Sequence, residues 1–189
     1  MIALLLSLSL PAAAWTAMGE RDGCLYSKQD EGDVIALRAE CTWELSADKV
    51  KKKLADWSVH DDVFESVAES RVLGSLQGGA GKVYQRHQAS GISDREIVMD
   101  VTEAAIEGGW RWTHKRSADQ SQVTGEHVLV GRDDGLWELK PTASGGCTVT
   151  YELRYDPAGS VPGFMVKWFQ GSGFRDMLLQ LKTASAAGG

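Results

Sequence analysis

Alternation of apolar and polar residues with a period of two runs through most of this chain and constrains its fold more than any other feature. In the segment 34–45 the apolar side chains fall on odd positions, such as Leu37 and Trp43. Charged side chains such as Arg38 and Glu40 fall on the even positions between them. Successive side chains of a β-strand point to opposite faces, so the pattern is typical of antiparallel strands with one buried face.

The same alternation recurs along the chain after Gly23. The clearest example is 147–155, in which Val149, Tyr151 and Leu153 are predicted to point inward. Glycine-rich or Asp-Gly turns separate most of these segments. The predicted strands are 23–28, 34–45, 67–76, 82–90, 94–103, 109–116, 126–130, 136–140 and 147–155.

One internal segment has helical periodicity instead. Ser46 is a good N-cap for a helix over 47–57, in which Val50 and Leu54 share one face. A helix is therefore predicted to interrupt the run of strands.

A longer amphipathic helix is predicted over 162–182, near the end of the chain. It contains Gly171 and Gly173, and because glycine is a poor helix former, a kink or break is expected near Ser172. The segment 184–189 consists of alanine, serine and glycine, and it is predicted to be a disordered tail.

The N-terminal segment predicts the compartment. An apolar run over 2–10 is followed by Pro11 and by alanines at 12–14, which is typical of a secretory signal peptide. The run is about half as long as a membrane-spanning helix requires, so a permanent anchor is disfavoured. The sequence therefore predicts a signal peptide at 1–14, a mature domain at 15–183, and export to the periplasm or the extracellular space.

Length and charge indicate one acidic domain. The chain has 189 residues, enough for a single core with room for a cavity, and a formal charge of −6. Its main cationic cluster is the lysine run at 51–53, typical of a solvated helix face, with docking on anionic lipid as the alternative. Nucleic acid is therefore not expected as a partner.

The cysteines and histidines do not form a recognisable reactive motif. In an oxidising compartment Cys24, Cys41 and Cys147 would permit one disulfide, whose pairing the spacing leaves open. No CxxC pair, metal-ligand spacing, nucleophile elbow or phosphate-binding glycine loop is present. We therefore expect no metal, no cofactor and no catalytic residue.

Several blocks of the sequence, taken in order, resemble bacterial START-domain proteins of the helix-grip (SRPBCC) superfamily. The resemblance implies an α+β helix-grip fold, in which a curved antiparallel sheet wraps around a long C-terminal helix and encloses a hydrophobic cavity. It also implies binding of a lipid or sterol-like ligand without chemistry. The blocks that carry the resemblance are Trp15, 22–27, 70–73, 83–85, 92–98, 135–141, 148–151 and 156–162.

The resemblance implies a role for Arg95, because a matching arginine in the family lies in the cavity and contacts the ligand or an internal acid. Strand alternation also places Arg95 on the same face as Ile97 and Met99. A buried guanidinium needs a carboxylate, carbonyl groups, water or a polar head group. The alternatives are a strand-end arginine in solvent and a structural ion pair.

Inward-facing aromatic residues, including Trp43 and Tyr155, are candidates for the cavity walls, with plain core packing as the alternative for each. His114 shares a face with the tryptophans of its strand, and a hydrogen-bonded core histidine is the alternative there. The predicted ligand-binding residues are Arg95, Trp110, Trp112, His114, Trp137, Tyr151, Met165, Trp168 and Phe169.

In the family's topology the strands of Cys41 and Cys147 are antiparallel neighbours, so these two residues are the candidate disulfide. Cys24 is a rival partner for Cys41, and free buried thiols are the third option.

The expected function is that of a monomeric, non-enzymatic carrier for a lipid or another hydrophobic small molecule, with transient membrane contact. The alternative is a polyketide cyclase or aromatase that uses the same cavity, with His114 and Arg95 as the candidate residues. A third option is a partner-binding protein whose core has no cavity.

Overall fold

The computed structural model describes residues 14–32 and 34–187. The strands of this part of the chain are β1 (Thr16–Arg21), β2 (Cys24–Asp30), β3 (Ile35–Trp43), β4 (Val67–Gln77), β5 (Ala80–His87), β6 (Arg95–Ile106), β7 (Gly109–Arg116), β8 (Val128–Leu129), β9 (Arg132–Pro141) and β10 (Cys147–Asp156). The α-helices are α1 (Ala47–Ala55), α2 (His60–Val63), α3 (Gly163–Trp168) and α4 (Phe174–Ala187).

The strands form one curved sheet around the C-terminal helix, which is the predicted helix-grip fold. The strand order is β1-β2-β3-β10-β9-β7-β6-β5-β4, with antiparallel neighbours, and β8 pairs with β6 in parallel. The inward faces carry the core, and Phe174, Leu178 and Leu181 of α4 are buried in it. Burial of these apolar faces is the main force that holds the sheet to the helix.

Strand alternation predicted the sheet because the two faces of most strands differ in solvation. β7 (Gly109–Arg116) coincides with the predicted segment 109–116. β1 (Thr16–Arg21) was not predicted, since all of its side chains are exposed and its sequence does not alternate. The predicted strand 126–130 is reduced to the two residues of β8.

The first predicted helix ends earlier than expected. Ser46 occupies the N-cap position, although its side chain makes no capping hydrogen bond. At the other end the carboxylate of Asp56 accepts a hydrogen bond from the backbone N–H of Ser58 at 3.1 Å, and a 3-10 turn over Trp57–Val59 replaces the last helical turn. The change of direction brings Trp57 and His60 into the core, where both are buried.

The C-terminal helix is interrupted where the glycines predicted it. A π-helical segment over Phe169–Gly173 joins α3 to α4. A β-carbon at Gly173 would lie 3.0 Å from Cζ3 of Trp168, so glycine allows the tryptophan to fold back on the helix. Such π-helical turns are a recognised cause of helix irregularity.

The predicted disordered tail at 184–189 is wrong for 184–187, because α4 continues to Ala187. Ser185 is buried, and it extends the inward face of Leu178 and Leu181 by another turn. Residues 188–189 lie outside the described residues. So does most of the predicted signal peptide at 1–14.

The predicted Cys41–Cys147 disulfide is also wrong. Cys24 and Cys41 are directly opposite each other on β2 and β3 and form the disulfide, while Cys147 is a free, buried thiol. On β10, Cys147 is opposite Trp43, and the residue opposite Cys41 is Val149. The strands are indeed neighbours, but their register places the two cysteines diagonally, two residues apart.

A buried carboxylate holds the loop before β8 against the outer face of β6. Glu96 accepts hydrogen bonds from the backbone N–H groups of Thr124 and Gly125, both at 2.7 Å, and from the hydroxyl of Tyr84 at 3.2 Å. Burial opposes ionisation, but the hydrogen bonds from Thr124 and Gly125 outweigh it and lower the pKa of Glu96. These hydrogen bonds hold Glu96 in place on the outer face. Arg95, the preceding residue of the strand, points to the opposite face.

Candidate functional site

A cavity of about 640 Å³ lies between the inner face of the sheet and the C-terminal helix. Strands β3, β4, β5, β6, β7, β9 and β10 contribute to its wall. The helical segment over the cavity, which comprises α3 and the π-helical turn that follows it, lines the opposite side together with α4. The volume falls within the range of about 300–1,000 Å³ that is usual for small-molecule sites.

Stacked aromatic rings form one apolar wall of the cavity. The rings of Trp137 and Tyr151 are parallel with centroids 3.6 Å apart, and Tyr151 in turn stacks on Phe174 at 5.3 Å. Phe64 also stacks on Trp137, with ring centroids 6.3 Å apart. The stack gives the cavity a smooth, rigid surface that suits an apolar ligand.

The structure brings most of the predicted ligand-binding residues to the cavity, although their contact with a ligand stays a prediction. Those that line it are Arg95, His114, Trp137, Tyr151, Met165, Trp168 and Phe169. Tyr155, an inward aromatic candidate, lines it as well.

The prediction that Trp110 and Trp112 line the cavity is wrong. Trp112 is fully buried in the core, and the ammonium group of Lys51 lies over the ring of Trp110 at 4.3 Å. Trp43, also on an inward face, is buried with Lys182 over its ring. Trp43 and Trp112 thus belong to the hydrophobic core, and Trp110 packs against that core beside α1.

Arg95 is buried, with 4% of its surface exposed, and it faces the cavity. Its Nη1 donates a hydrogen bond to the carbonyl of Ser93, its Nη2 donates to that of Ala158 at 3.5 Å, and its Nε has no partner. The carboxylate of the neighbouring Asp94, which also lines the cavity, pairs with Arg86 instead of Arg95. A guanidinium has more N–H groups than two carbonyls can accept, so Arg95 retains donor capacity for a ligand.

His114 and Asp133 form a buried polar pair in the cavity wall. Nε2 of His114 is 3.1 Å from Oδ1 of Asp133, and Trp57 contacts the imidazole edge-on at 5.8 Å. Sequence reasoning missed Asp133 because it precedes the predicted strand 136–140. Extending the alternation of Trp137 backwards by two steps would have placed it on the inward face.

A chain of hydrogen bonds crosses another part of the wall. The hydroxyl of Tyr155 lies 3.0 Å from Nδ1 of His87, and Nε2 of His87 lies 3.2 Å from Oε1 of Gln85. Nε2 of Gln85 donates to the hydroxyl of Ser70 at 3.0 Å, which donates to the carbonyl of Trp57 at 2.6 Å. Sequence reasoning missed Gln85 and His87, although they continue the inward alternation of Val83 on β5.

Burial controls the ionisation of these groups. It lowers the pKa of His60 to about 4 and also lowers the pKa of His87, so both imidazoles are neutral near pH 7. Burial raises the pKa values of Tyr151 and Tyr155, which therefore keep their protons. The four side chains thus contribute uncharged polar groups to a cavity wall that also contains Arg95 and Asp133.

The helical segment over the cavity exposes apolar side chains. Phe164 is 73% exposed, Trp168 is 50% exposed, and no residue of α3 is buried. Contiguous exposed apolar groups of this kind mark interaction sites. Within residues 14–32 and 34–187, no helix has both the length and the apolar character needed to cross a membrane.

A curved sheet that grips a C-terminal helix around an internal cavity defines the START-like, helix-grip class of proteins. Residues 54–182 match the family model described as "Polyketide cyclase / dehydrase and lipid transport". Because this match covers more than half of the chain, the protein belongs to that family.

Solved structures agree in fold. A STAR-related lipid transfer protein from Xanthomonas axonopodis superposes with a TM-score of 0.80 at 23% identity, over 91% of this chain and 98% of that one. Human StAR-related lipid transfer protein 5 superposes with a TM-score of 0.82 at 13% identity, over 95% of this chain and 88% of that one. The Zhui aromatase/cyclase from a Streptomyces species superposes with a TM-score of 0.57 at 14% identity, over 82% of this chain and 98% of that one.

An uncharacterised protein of Pseudomonas aeruginosa is 29% identical over 80 residues. The match covers 41% of this chain and 39% of that protein, so the chain matches about two fifths of its relative's length.

Proposed function

We propose that this protein is a carrier that encloses one lipid or sterol-like molecule, as a monomer and without chemistry. The observation that carries the proposal is the cavity of about 640 Å³ between sheet and helix, with its stacked aromatic wall. Transfer of an apolar ligand from water to such a site is favourable by about 25 cal/mol per Å² of buried apolar surface, before the cost of ordering the ligand. The hydrophobic-ligand binding typical of this fold supports the proposal.

Arg95 orients the polar end of the ligand in this proposal. Its remaining N–H donors lie in a buried setting, where a hydrogen bond to a charged donor is stronger than in water. Replacement of Arg95 by Met should weaken binding about tenfold or change ligand choice, while the domain remains folded. Arg111→Met, which removes a guanidinium paired with Glu138 outside the cavity, is the matched control. Unchanged binding of the natural ligand by Arg95→Met would contradict this role.

The protein acts after export in this proposal, in the periplasm or outside the cell. The apolar run at 2–10 followed by small residues supports this location. The Cys24–Cys41 disulfide supports it as well, because disulfides persist in oxidising compartments.

Loading requires the helical segment over the cavity to move. The π-helical turn over Phe169–Gly173 offers a hinge between α4, which is anchored in the core, and α3, which is not. The exposed side chains of Phe164 and Trp168 would contact the membrane transiently during uptake or release.

Native mass spectrometry of protein purified from the exported fraction, followed by organic extraction, tests the proposal. One lipid or sterol-like molecule bound per monomer is the expected result. Protein that carries nothing and takes up no member of a lipid panel would contradict it.

A second candidate function is a cyclase or aromatase that acts in the same cavity. The observation that favours it is the buried His114–Asp133 pair beside the cavity that Arg95 also lines, because a histidine oriented by a carboxylate is suited to proton transfer. Ligand recovered after prolonged incubation should be unchanged in mass for a carrier. Loss of water from an added polyketide-like ligand, abolished in His114→Gln, would support the enzyme instead.

A further inference from the structure

The hydrogen-bond chain behind the cavity wall has a fixed direction, which its far end determines. A backbone carbonyl only accepts hydrogen bonds, so the hydroxyl of Ser70, 2.6 Å from the carbonyl of Trp57, must donate its proton there. The Ser70 oxygen then accepts from Gln85, whose amide nitrogen lies 3.0 Å away. The side-chain amide of Gln85 is thereby oriented with its oxygen towards His87.

The orientation of Gln85 sets the tautomer of His87. Its Oε1 accepts a hydrogen bond from Nε2 of His87 at 3.2 Å, so Nε2 carries the ring proton. Burial lowers the pKa of His87, and the ring is neutral. Nδ1 of His87 is therefore an acceptor, and it accepts the hydroxyl proton of Tyr155 at 3.0 Å.

The Tyr155 hydroxyl has thus committed its only proton to His87. Tyr155 lines the cavity, and the groups that its oxygen can still bind are hydrogen-bond donors. Arg95 is directly opposite His87 across β5 and β6, and it also lines the cavity. The cavity wall therefore carries an acceptor, the Tyr155 oxygen, and a donor, the Arg95 guanidinium, on two residues that both neighbour His87.

We propose that this pair selects ligands whose polar end is an uncharged hydroxyl group, with the ligand oxygen accepting from Arg95 and its proton donated to Tyr155. The inference rests on the proposed carrier function and specifies its ligand class. An ionised carboxylate satisfies Arg95 but places two lone-pair-bearing oxygens against Tyr155. An ether satisfies Arg95 but leaves the Tyr155 acceptor unpaired. A hydroxyl group meets both requirements, because its oxygen accepts from Arg95 while its proton is donated to Tyr155.

A series of probes that share one chain tests the proposal. Tetradecanol, its methyl ether and tetradecanoate differ only in the polar end, and a sterol alcohol with its methyl ether repeats the comparison on a rigid ligand. Affinities are measured by competition with a fluorescent lipid on the full exported protein. We expect either alcohol to bind about tenfold more tightly than its ether, because a buried acceptor left unpaired is costly.

Two variants separate the effect of the hydrogen-bond chain on ligand choice from general effects on the cavity. Tyr155→Phe removes the acceptor and should abolish the difference between alcohol and ether. His87→Leu releases the Tyr155 proton, so the hydroxyl should donate into the cavity, and the ether should then bind at least as well as the alcohol. Tyr84→Phe, whose hydroxyl contacts Glu96 on the outer face, is the matched control and should leave the preference unchanged.

The outcomes distinguish this inference from the carrier function. Equal binding of alcohol and ether, a preference for tetradecanoate, or a preference that survives in Tyr155→Phe would overturn the hydroxyl selectivity while leaving the carrier function intact. Failure of the wild-type protein to bind any probe of either series would overturn both.

Discussion

Gly135 lies directly against the imidazole ring of His114, and the ring occupies the space that a side chain at position 135 would fill. The two residues are opposite each other on β9 and β7. A β-carbon on Gly135 would overlap Cε1 and Nε2 of His114. The glycine therefore leaves room for the ring, with Nε2 within hydrogen-bond distance of Asp133.

Gly135→Ala should destabilise the protein by about 1–3 kcal/mol, because the methyl group forces the His114 ring out of its position in a packed core. The free energy of unfolding in urea measures this effect. Gly163→Ala at the start of α3, where a β-carbon meets no other atom, is the matched control. Equal stability of the two variants would show that the ring is not confined by Gly135.

Stability should decrease as the pH falls from about 6.5 towards 4, because of His60. Burial lowers the pKa of this histidine from 6.5 in the unfolded chain to about 4 in the folded protein. Between these values the unfolded state binds a proton that the folded state does not, so acid favours unfolding by up to about 1.4 kcal/mol per pH unit for this group.

Urea unfolding at several pH values measures that slope. The variant His60→Gln does not titrate in this range, so its stability should depend less steeply on pH than that of the wild-type protein. Parallel curves for the two proteins would contradict the burial of a neutral His60.

Strand alternation predicted the fold because it reports directly on which face of a strand is buried. It also placed Arg95 and His114 correctly on the inner face. It could not locate the cavity along that face, since a residue such as Trp112 faces inward and is nevertheless covered by other core side chains. Whether an inward-facing residue lines the cavity or belongs to the core depends on its position along the strand. The boundary between the two regions is set by where the helices pack on the sheet.

The disulfide shows a second limit of sequence reasoning. The neighbouring strands of Cys41 and Cys147 suggested a bond, but pairing depends on register, which the loop lengths between distant strands do not determine. In the β2–β3 hairpin the short connection places Cys24 opposite Cys41. The Gln85–His87–Tyr155 hydrogen-bond chain could not be predicted for a related reason. β5 and β10 are not neighbours in the sheet, and their side chains meet only because the sheet is curved.

Peptide mapping of the unreduced, purified protein should recover Cys24 linked to Cys41. Cys147 should react with a thiol reagent only after unfolding, since it is fully buried. Reduction should lower the stability of the wild-type protein by about 3 kcal/mol, the usual effect of opening a loop of this size. The double variant Cys24→Ser with Cys41→Ser should be insensitive to reductant, and recovery of a Cys41–Cys147 peptide would contradict the pairing.

Phe164→Ser should slow lipid transfer to vesicles several-fold and leave the equilibrium affinity for the ligand unchanged. The side chain is 73% exposed on the helix that covers the cavity, so its removal affects contact with the bilayer rather than packing. Stability should change by less than about 0.5 kcal/mol, as is usual for exposed positions. Transfer of a fluorescent lipid between the protein and vesicles measures the rate, and Leu179→Ser, which replaces an exposed apolar residue on α4, is the matched control. Equal transfer rates for the two variants would show that the exposed surface of α3 does not contact the membrane during transfer.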